Sequence, residues 1–184
     1  MRKLSYEEIT ERQQRLARQN QNSCFPIYVV AENIRSLHNV GAIFRTSDSG
    51  RITRLFLCGF SGQPPRDEIN KTALGAVKTV SWEYHRKAID VIRSLKAQGV
   101  TIVVLEHTDH SIAYTTADYQ FPLCLVIGNE VDGVSEEIVT LTDQAIAIPM
   151  YGSKQSLNVS VAYGVVLFHL IDRFNQSVAG NKKL

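Results

Sequence analysis

Apolar residues recur along this chain in two rhythms. Short runs rich in β-branched and aromatic residues have the length of strands: IYVVAEN from Ile27, RLFLCGF from Arg54, TVSWEY from Thr79, TIVVLEH from Thr101, PLCLVI from Pro122 and AIAIP from Ala145. Between them lie segments with helical spacing: 39–49, closed by Gly50; 67–74; 87–98, stopped by Gly99; a short one starting at Ser135; and a long one from Ser156. PLCLVI has no polar position, as expected of a central parallel strand covered on both faces. Ahead of all of these, Ser5-Tyr6-Glu7-Glu8 is a capping box for a helix to about Gln19. That helix carries few apolar residues (Tyr6, Ile9, Leu16), which predicts a surface position, and 19–23, QNQNS, reads as a linker.

The last segment, QSLNVSVAYGVVLFHLIDR from Gln155 to Arg173, is the most informative. Its polar cluster, Ser156, Asn158 and Ser160, precedes an apolar run (Val161, Val165, Val166, Leu167, Leu170, Ile171) that predicts a largely buried helix. Ser and Asn side chains accept the unpaired N–H groups of a first helical turn, where the backbone also carries partial positive charge. A buried helix opening on polar groups, just after the loop 150–154, is a place to hold a ligand.

Strands alternating with helices about six times predict an α/β fold, a mostly parallel sheet flanked by helices. In such sheets ligands sit beyond the carboxyl ends of the strands. The loops after Glu32, Glu106, Ile127 and Ile148 all belong to that edge. The expected organisation is a helical extension over 1–22, one domain over 23–176 and a basic flexible tail over 177–184.

Composition narrows the class without naming a function. The apolar share, 44%, is that of an ordinary globular core, and net charge is only +2. Charge alone therefore does not argue for nucleic acid. The basic residues do group locally: Arg2, Lys3, Arg12, Arg15 and Arg18 at the start, Arg51 with Arg54, and Lys182 with Lys183 at the end. No apolar run has membrane length and the N-terminus has no secretory pattern. Three widely spaced cysteines (Cys24, Cys58, Cys124) predict free thiols, with Cys58 and Cys124 in the core. These features predict a cytoplasmic protein with no membrane association.

Several common sites are missing. The chain has no GxGxxG after its first strand, no P-loop and no GxSxG elbow. The spacing in His107-Thr108-Asp109-His110 suits no standard metal site, so no metal is expected. Three segments remain. In the first, Asn39, Gly41 and Arg45 stand on one stretch, and helical spacing puts 41 and 45 on one face, where the glycine would let a backbone approach beside the guanidinium. In the second, Glu130 follows a buried strand through Gly128 and Asn129, and Gly133 closes the loop. The third joins Ile148-Pro149-Met150 to Ser156-Leu157-Asn158-Val159-Ser160.

Together these segments resemble the three motifs of the SpoU (TrmH) class of SPOUT RNA methyltransferases. Asn39, Gly41 and Arg45 resemble N-x-G-x-x-x-R. Gly128, Asn129, Glu130 and Gly133 resemble G-N-E-x-x-G. Ile148, Pro149, Met150, Ser156, Leu157, Asn158, Ser160 and Ala162 resemble I-P-M…S-L-N-V-S-x-A. The resemblance runs over about residues 27–171. It implies a C-terminal deep trefoil knot, which no periodicity argument would propose. It implies S-adenosylmethionine held by the loops that carry Leu105, Gly128, Ile148, Met150 and Leu157. It also implies a homodimer with the last helix at the interface.

The reaction implied is methyl transfer to a ribose 2′-hydroxyl of RNA. Arg45 is then expected to bind a phosphate beside the target ribose, because a guanidinium stays protonated and makes a poor base. Asn39 and Asn158 would hydrogen-bond around the ribose, Glu130 would orient that set, and Ser156 would shape the loop. The absence of room for a separate RNA-binding domain leans the expectation toward tRNA over large-subunit rRNA. A non-catalytic RNA-binding relative and a nucleotide-dependent oxidoreductase are the competing readings; the missing GxGxxG weighs against the second.

Overall fold

The computed structural model describes residues 1–19 and 24–181; most of the expected linker over 19–23 lies outside them. Helix α1 (Tyr6–Gln19) opens on the expected capping box: Glu8 N–H donates to Ser5 Oγ at 3.2 Å and Ser5 N–H to the Glu8 carboxylate at 2.8 Å. Beyond it come seven strands: β1 (Phe25–Glu32), β2 (Ile52–Cys58), β3 (Trp82–His85), β4 (Thr101–Leu105), β5 (Ile112–Ala113), β6 (Leu123–Ile127) and β7 (Gln144–Ala147). They form one sheet in the order β3-β2-β1-β6-β4-β7-β5, and every pairing is parallel. The two-residue strand β5 falls inside the expected polar loop after His107.

Alternate strand residues feed two cores. Ile27, Val29, Leu55, Leu57, Leu123 and Leu125 face α2 (Leu37–Ser49), α3 (Asp67–Ala73) and α6 (Val159–Asn181). Val30, Phe56, Val104 and Val126 face α4 (Ala88–Ala97) and α5 (Glu136–Leu141). Strand β6 is buried at every position, as its unbroken apolar run requires. Cys58 and Cys124 belong to the second core, and burial pushes both thiols up, Cys58 to about 12, so neither is a nucleophile.

The chain runs from β1 through α2 to β2 on one side, and from β6 through α5 to β7 on the other. The β1/β6 boundary is therefore the switch point of the sheet, where neighbouring loops diverge and leave a crevice. Gly41 is needed for packing, not for a ligand. A Cβ there would lie 2.4 Å from the Ile69 carbonyl and 2.0 Å from Thr72 Oγ1, so α3 takes the close approach expected beside Arg45.

Helix α6 departs from expectation in three ways. It starts at Val159 instead of Ser156, because Asn158 provides the cap: its Oδ1 accepts from Ser160 N–H at 3.0 Å and from Ser160 Oγ at 2.7 Å. It is buried on one side only. Tyr163, Val166, Leu167 and Leu170 are fully covered, whereas Val161 is 53% exposed, Val165 38% and Phe168 51%. It also runs through Asn181, so 177–181 are helical where a flexible tail was expected; nothing in Ser177-Val178-Ala179 breaks a helix. No helix among the described residues is long and apolar enough to cross a membrane.

Candidate active site at the switch point

The site forms where the loops after β1 and β6 meet the starts of α2 and α6. Strand β6 ends at Ile127 and turns back at once: Asn129 N–H donates to the Gly133 carbonyl at 2.9 Å, and Gly133 N–H returns to Asn129 at 3.1 Å. Both glycines are required by this turn. Gly133 has φ +71°, and a Cβ on Gly128 would lie 2.4 Å from the Gly133 carbonyl oxygen. Asn129 is buried, and its side chain accepts from Val131 N–H (2.8 Å) and Asp132 N–H (3.0 Å) while donating to the Asn33 carbonyl (2.8 Å). Two carboxylates at strand ends brace the turn from outside. Glu106, after β4, accepts from Val134 N–H at 3.0 Å. Glu32, ending β1, accepts from Ser135 N–H and Oγ, both at 2.9 Å.

This bracing places Glu130 across the switch point at the start of α2. Its carboxylate accepts from Arg35 N–H (2.9 Å), Ser36 N–H (3.0 Å) and the Asn39 side-chain amide (2.8 Å). Helix α2 has no acidic residue in its own first turn, so Glu130 supplies the negative charge that a helix N-terminus favours. Partial desolvation is the largest single influence on this carboxyl and would raise its pKa. The N–H donors of Arg35 and Ser36 and the Asn39 amide together outweigh it, and the pKa falls below the ordinary 4.5.

A carboxylate can only accept, and this sets the direction of every hydrogen bond leading away from Glu130. The amide nitrogen of Asn39 must face Glu130, so its oxygen faces away and accepts from Asn158 Nδ2 at 3.1 Å. The Asn158 oxygen is then turned onto Ser160, where it caps α6. One charge thus orients two amides and ties the starts of α2 and α6 together. Each amide keeps a second N–H to offer a substrate.

Beside this chain lies a cavity of about 360 Å³ on the β6, β4 and β7 side of the crevice. Leu105, Gly128, Ile148, Met150 and Leu157, the five positions expected to hold a cofactor, all line it, as do Glu130, Ser156 and Asn158. Its apolar walls (Leu105, Ile127, Ile148, Leu157) suit a flat ring, and its rim carries Glu106, Asn129 and Asp132. Asn129 stands in the G-N-E motif, but that pattern does not disclose that its amide holds the turn together. Glu106 belongs to none of the three motifs, and its one signal in the sequence is that it follows a buried strand just as the 128–133 turn does.

Arg45 stands apart. It lies on α2 six residues beyond Asn39, is solvent-exposed and does not line the cavity. Its guanidinium has no hydrogen-bond or ion-pair partner among the described residues; its backbone carbonyl accepts from Ser49 Oγ. The neighbouring Thr46 borders Gly164 of α6, so Arg45 sits close to the α2–α6 packing seam.

Comparison with known proteins fits this arrangement. The family model described as SpoU rRNA Methylase family matches residues 26–168. A tRNA (guanosine(18)-2′-O)-methyltransferase of Aquifex aeolicus is 38% identical over 143 residues, covering 77% of this chain and 67% of its own length. Among solved structures, the A. aeolicus TrmH/SpoU tRNA modifying enzyme superposes with a TM-score of 0.79 at 32% identity, over 92% of this chain and 86% of that one. An AdoMet-bound rRNA methyltransferase from Sinorhizobium meliloti gives a TM-score of 0.73 at 31% identity, over 78% of this chain and 54% of that one.

Proposed function

The chain belongs to the SpoU rRNA Methylase family, and from that membership and the geometry of the cavity we propose that it transfers a methyl group from S-adenosylmethionine to a ribose 2′-hydroxyl of RNA, with tRNA as the substrate. The observation that carries the reading is the Glu130–Asn39–Asn158 chain beside the cavity. The cavity's size and apolar walls fit an adenosine, and Leu105, Gly128, Ile148, Met150 and Leu157 are the residues that hold the cofactor. When bound, S-adenosylmethionine supplies a methyl group already activated on a sulfonium. What the protein must add is position and a route for one proton.

Asn39 and Asn158, held by Glu130, present their free N–H groups to the ribose. Ser156 shapes the strap 149–158 over the cavity. Arg45 binds the phosphate next to the target ribose, and the hydroxyl proton passes to that phosphate or to solvent. Because Arg45 does not line its own cavity, it serves the cavity of a second copy. The exposed stripe Val161, Val165 and Phe168 on α6 is the dimer face, next to the helix that carries Arg45.

The knotted C-terminus belongs to the same reading. It is supported by a cavity whose walls come from the loops after β4 and β6, the strap after β7 and the first turn of α6. Residues 1–22 are the extension that carries α1, residues 23–176 are the catalytic domain, the basic residues Lys182 and Lys183 follow α6, and the location is cytoplasmic. A second reading takes rRNA as the substrate, large-subunit rRNA being the expected one; the likeness to the rRNA methyltransferase of S. meliloti supports rRNA.

The test is incubation with methyl-labelled S-adenosylmethionine and separated unmodified tRNA and rRNA, then mapping of the labelled nucleotide, guanosine 18 of tRNA included. Label in tRNA at a 2′-oxygen is expected. Label in rRNA alone selects the second reading, and label in neither sinks both.

A further inference from the structure

A second cleft, of about 340 Å³, lies on the other side of the 128–135 turn. It sits over β1 and β2 at the same carboxyl edge of the sheet, between the end of β1 and the start of α4. The turn is the partition between the two clefts. Asn129 and Glu130 face the first cleft, Ser135 and Glu137 the second.

Two of the second cleft's three carboxylates are engaged; the third, Asp90, is exposed and has no hydrogen-bond or ion-pair partner among the described residues, so the cleft's free groups are two foremost cations against one carboxylate. Glu32 accepts from Ser135 N–H and Oγ, and Glu137 faces Arg93 at 3.5 Å. Arg86 and Lys87 are exposed and have no hydrogen-bond or ion-pair partner among the described residues. Asn33 joins the two sides: it lines this cleft, its carbonyl accepts from Asn129, and its side-chain oxygen accepts from Phe60 N–H at 3.1 Å. Phe60 adjoins Gly59 of the cleft wall and is 62% exposed, a large aromatic surface left in water.

Two free cations in a cleft, with an exposed ring at its rim, are the parts of a single-strand binding groove. Cations track the phosphates and an aromatic face stacks a base. Resting on the RNA-methyltransferase reading above, we infer that this cleft is a flanking-nucleotide subsite: Arg86 and Lys87 hold backbone phosphates of the substrate RNA a few nucleotides from the target ribose, and Phe60 stacks an adjacent base. Neighbouring parallel strands stand about 4.8 Å apart, so the clefts are roughly 10–15 Å from centre to centre. A short unstacked RNA segment spans that distance over the partition.

The experiment measures binding of an unmodified tRNA transcript and a large-subunit rRNA fragment by anisotropy over a salt series, together with methyl transfer and S-adenosylmethionine affinity. Arg86→Ala/Lys87→Ala is expected to weaken binding of the methylated RNA about tenfold and to lower the log–log salt slope by about 1 to 2. Transfer at saturating RNA and S-adenosylmethionine affinity should remain within twofold of wild type. Phe60→Leu should raise KM for RNA several-fold with little change in kcat, and Phe60→Trp should restore it. Thermal unfolding identifies any variant that has lost its fold, in which case Arg86→Gln/Lys87→Gln replaces the double alanine variant. An active wild type whose charge variants keep the same RNA affinity and salt slope overturns this inference alone. A wild type that methylates neither RNA overturns the underlying reading, and this one with it.

Discussion

Glu130 accepts the side-chain amide of Asn39 at 2.8 Å across 91 positions of sequence, and that contact spans the switch point of the sheet. With the two N–H groups ahead of α2 it fixes which way both site amides face.

Glu130→Gln is therefore expected to act on orientation as well as stability. A glutamine brings its own N–H₂ toward donors and loses the charge that favours a helix start. Unfolding by urea should show a loss of about 1–3 kcal/mol. RNA methylation should fall about a hundredfold, while S-adenosylmethionine affinity by calorimetry changes little. Activity equal to wild type would remove Glu130 from the positioning role.

The same carboxylate sets a pH dependence. Its pKa in the folded chain lies below the ordinary 4.5, so its contribution is complete above pH 4.5 and is lost as pH falls through the folded value. Glu83, lowered by its hydrogen bond to His85 and by Arg54, loses its contribution in the same direction. Comparing wild type with Glu130→Gln removes Glu83 from the difference. The gap in stability between the two proteins should be widest near neutrality and should close below pH 4.5.

Arg45→Ala should bind S-adenosylmethionine normally and lose turnover, and Arg45→Lys should recover little of it, since an ammonium cannot match a forked phosphate contact. Mixing Arg45→Ala with Asn158→Ala after subunit exchange discriminates between the cavities. If Arg45 serves the partner's cavity, each mixed dimer carries one intact site and activity returns to about a quarter of wild type. If it serves its own, the mixture stays inactive.

Phe168→Glu should separate the copies. It puts a charge into the exposed apolar stripe of α6 without touching the buried residues Tyr163, Val166, Leu167 and Leu170. Sedimentation should report a folded monomer with less than about a tenth of wild-type transfer. An unchanged sedimentation coefficient would place the interface elsewhere.

Gly41→Ala should destabilise the fold by about 2 kcal/mol or more. Its methyl group meets the Ile69 carbonyl and can be relieved only by moving α3. Thermal unfolding measures this directly.

The strands were legible because a parallel sheet buried on both faces leaves unbroken apolar runs such as PLCLVI, and no other element needs them. The strand Ile112–Ala113 was not, since two residues carry no period. The start of α6 lies three residues beyond the expected one because Ser156 and Asn158 are both competent caps; the choice between them lies with Asn39, which engages Asn158. The apolar content of α6 was legible, but not which part of it lies uncovered. The position of Arg45 relative to the cavity could not be read from spacing on one helix, because it depends on how α2 and α6 lie in space. Arg86 and Lys87 belong to no pattern along the chain and become a pair of interest only beside Asn33 and Phe60.

The turn over 128–135 is fastened to β1 by Glu32, to β4 by Glu106 and to the start of α2 by Glu130. A wall moored to three separate elements has little freedom to swing as a gate. Fitting a bulky folded polynucleotide against it then falls to the incoming strand, which has to unstack and bend around a rigid ridge.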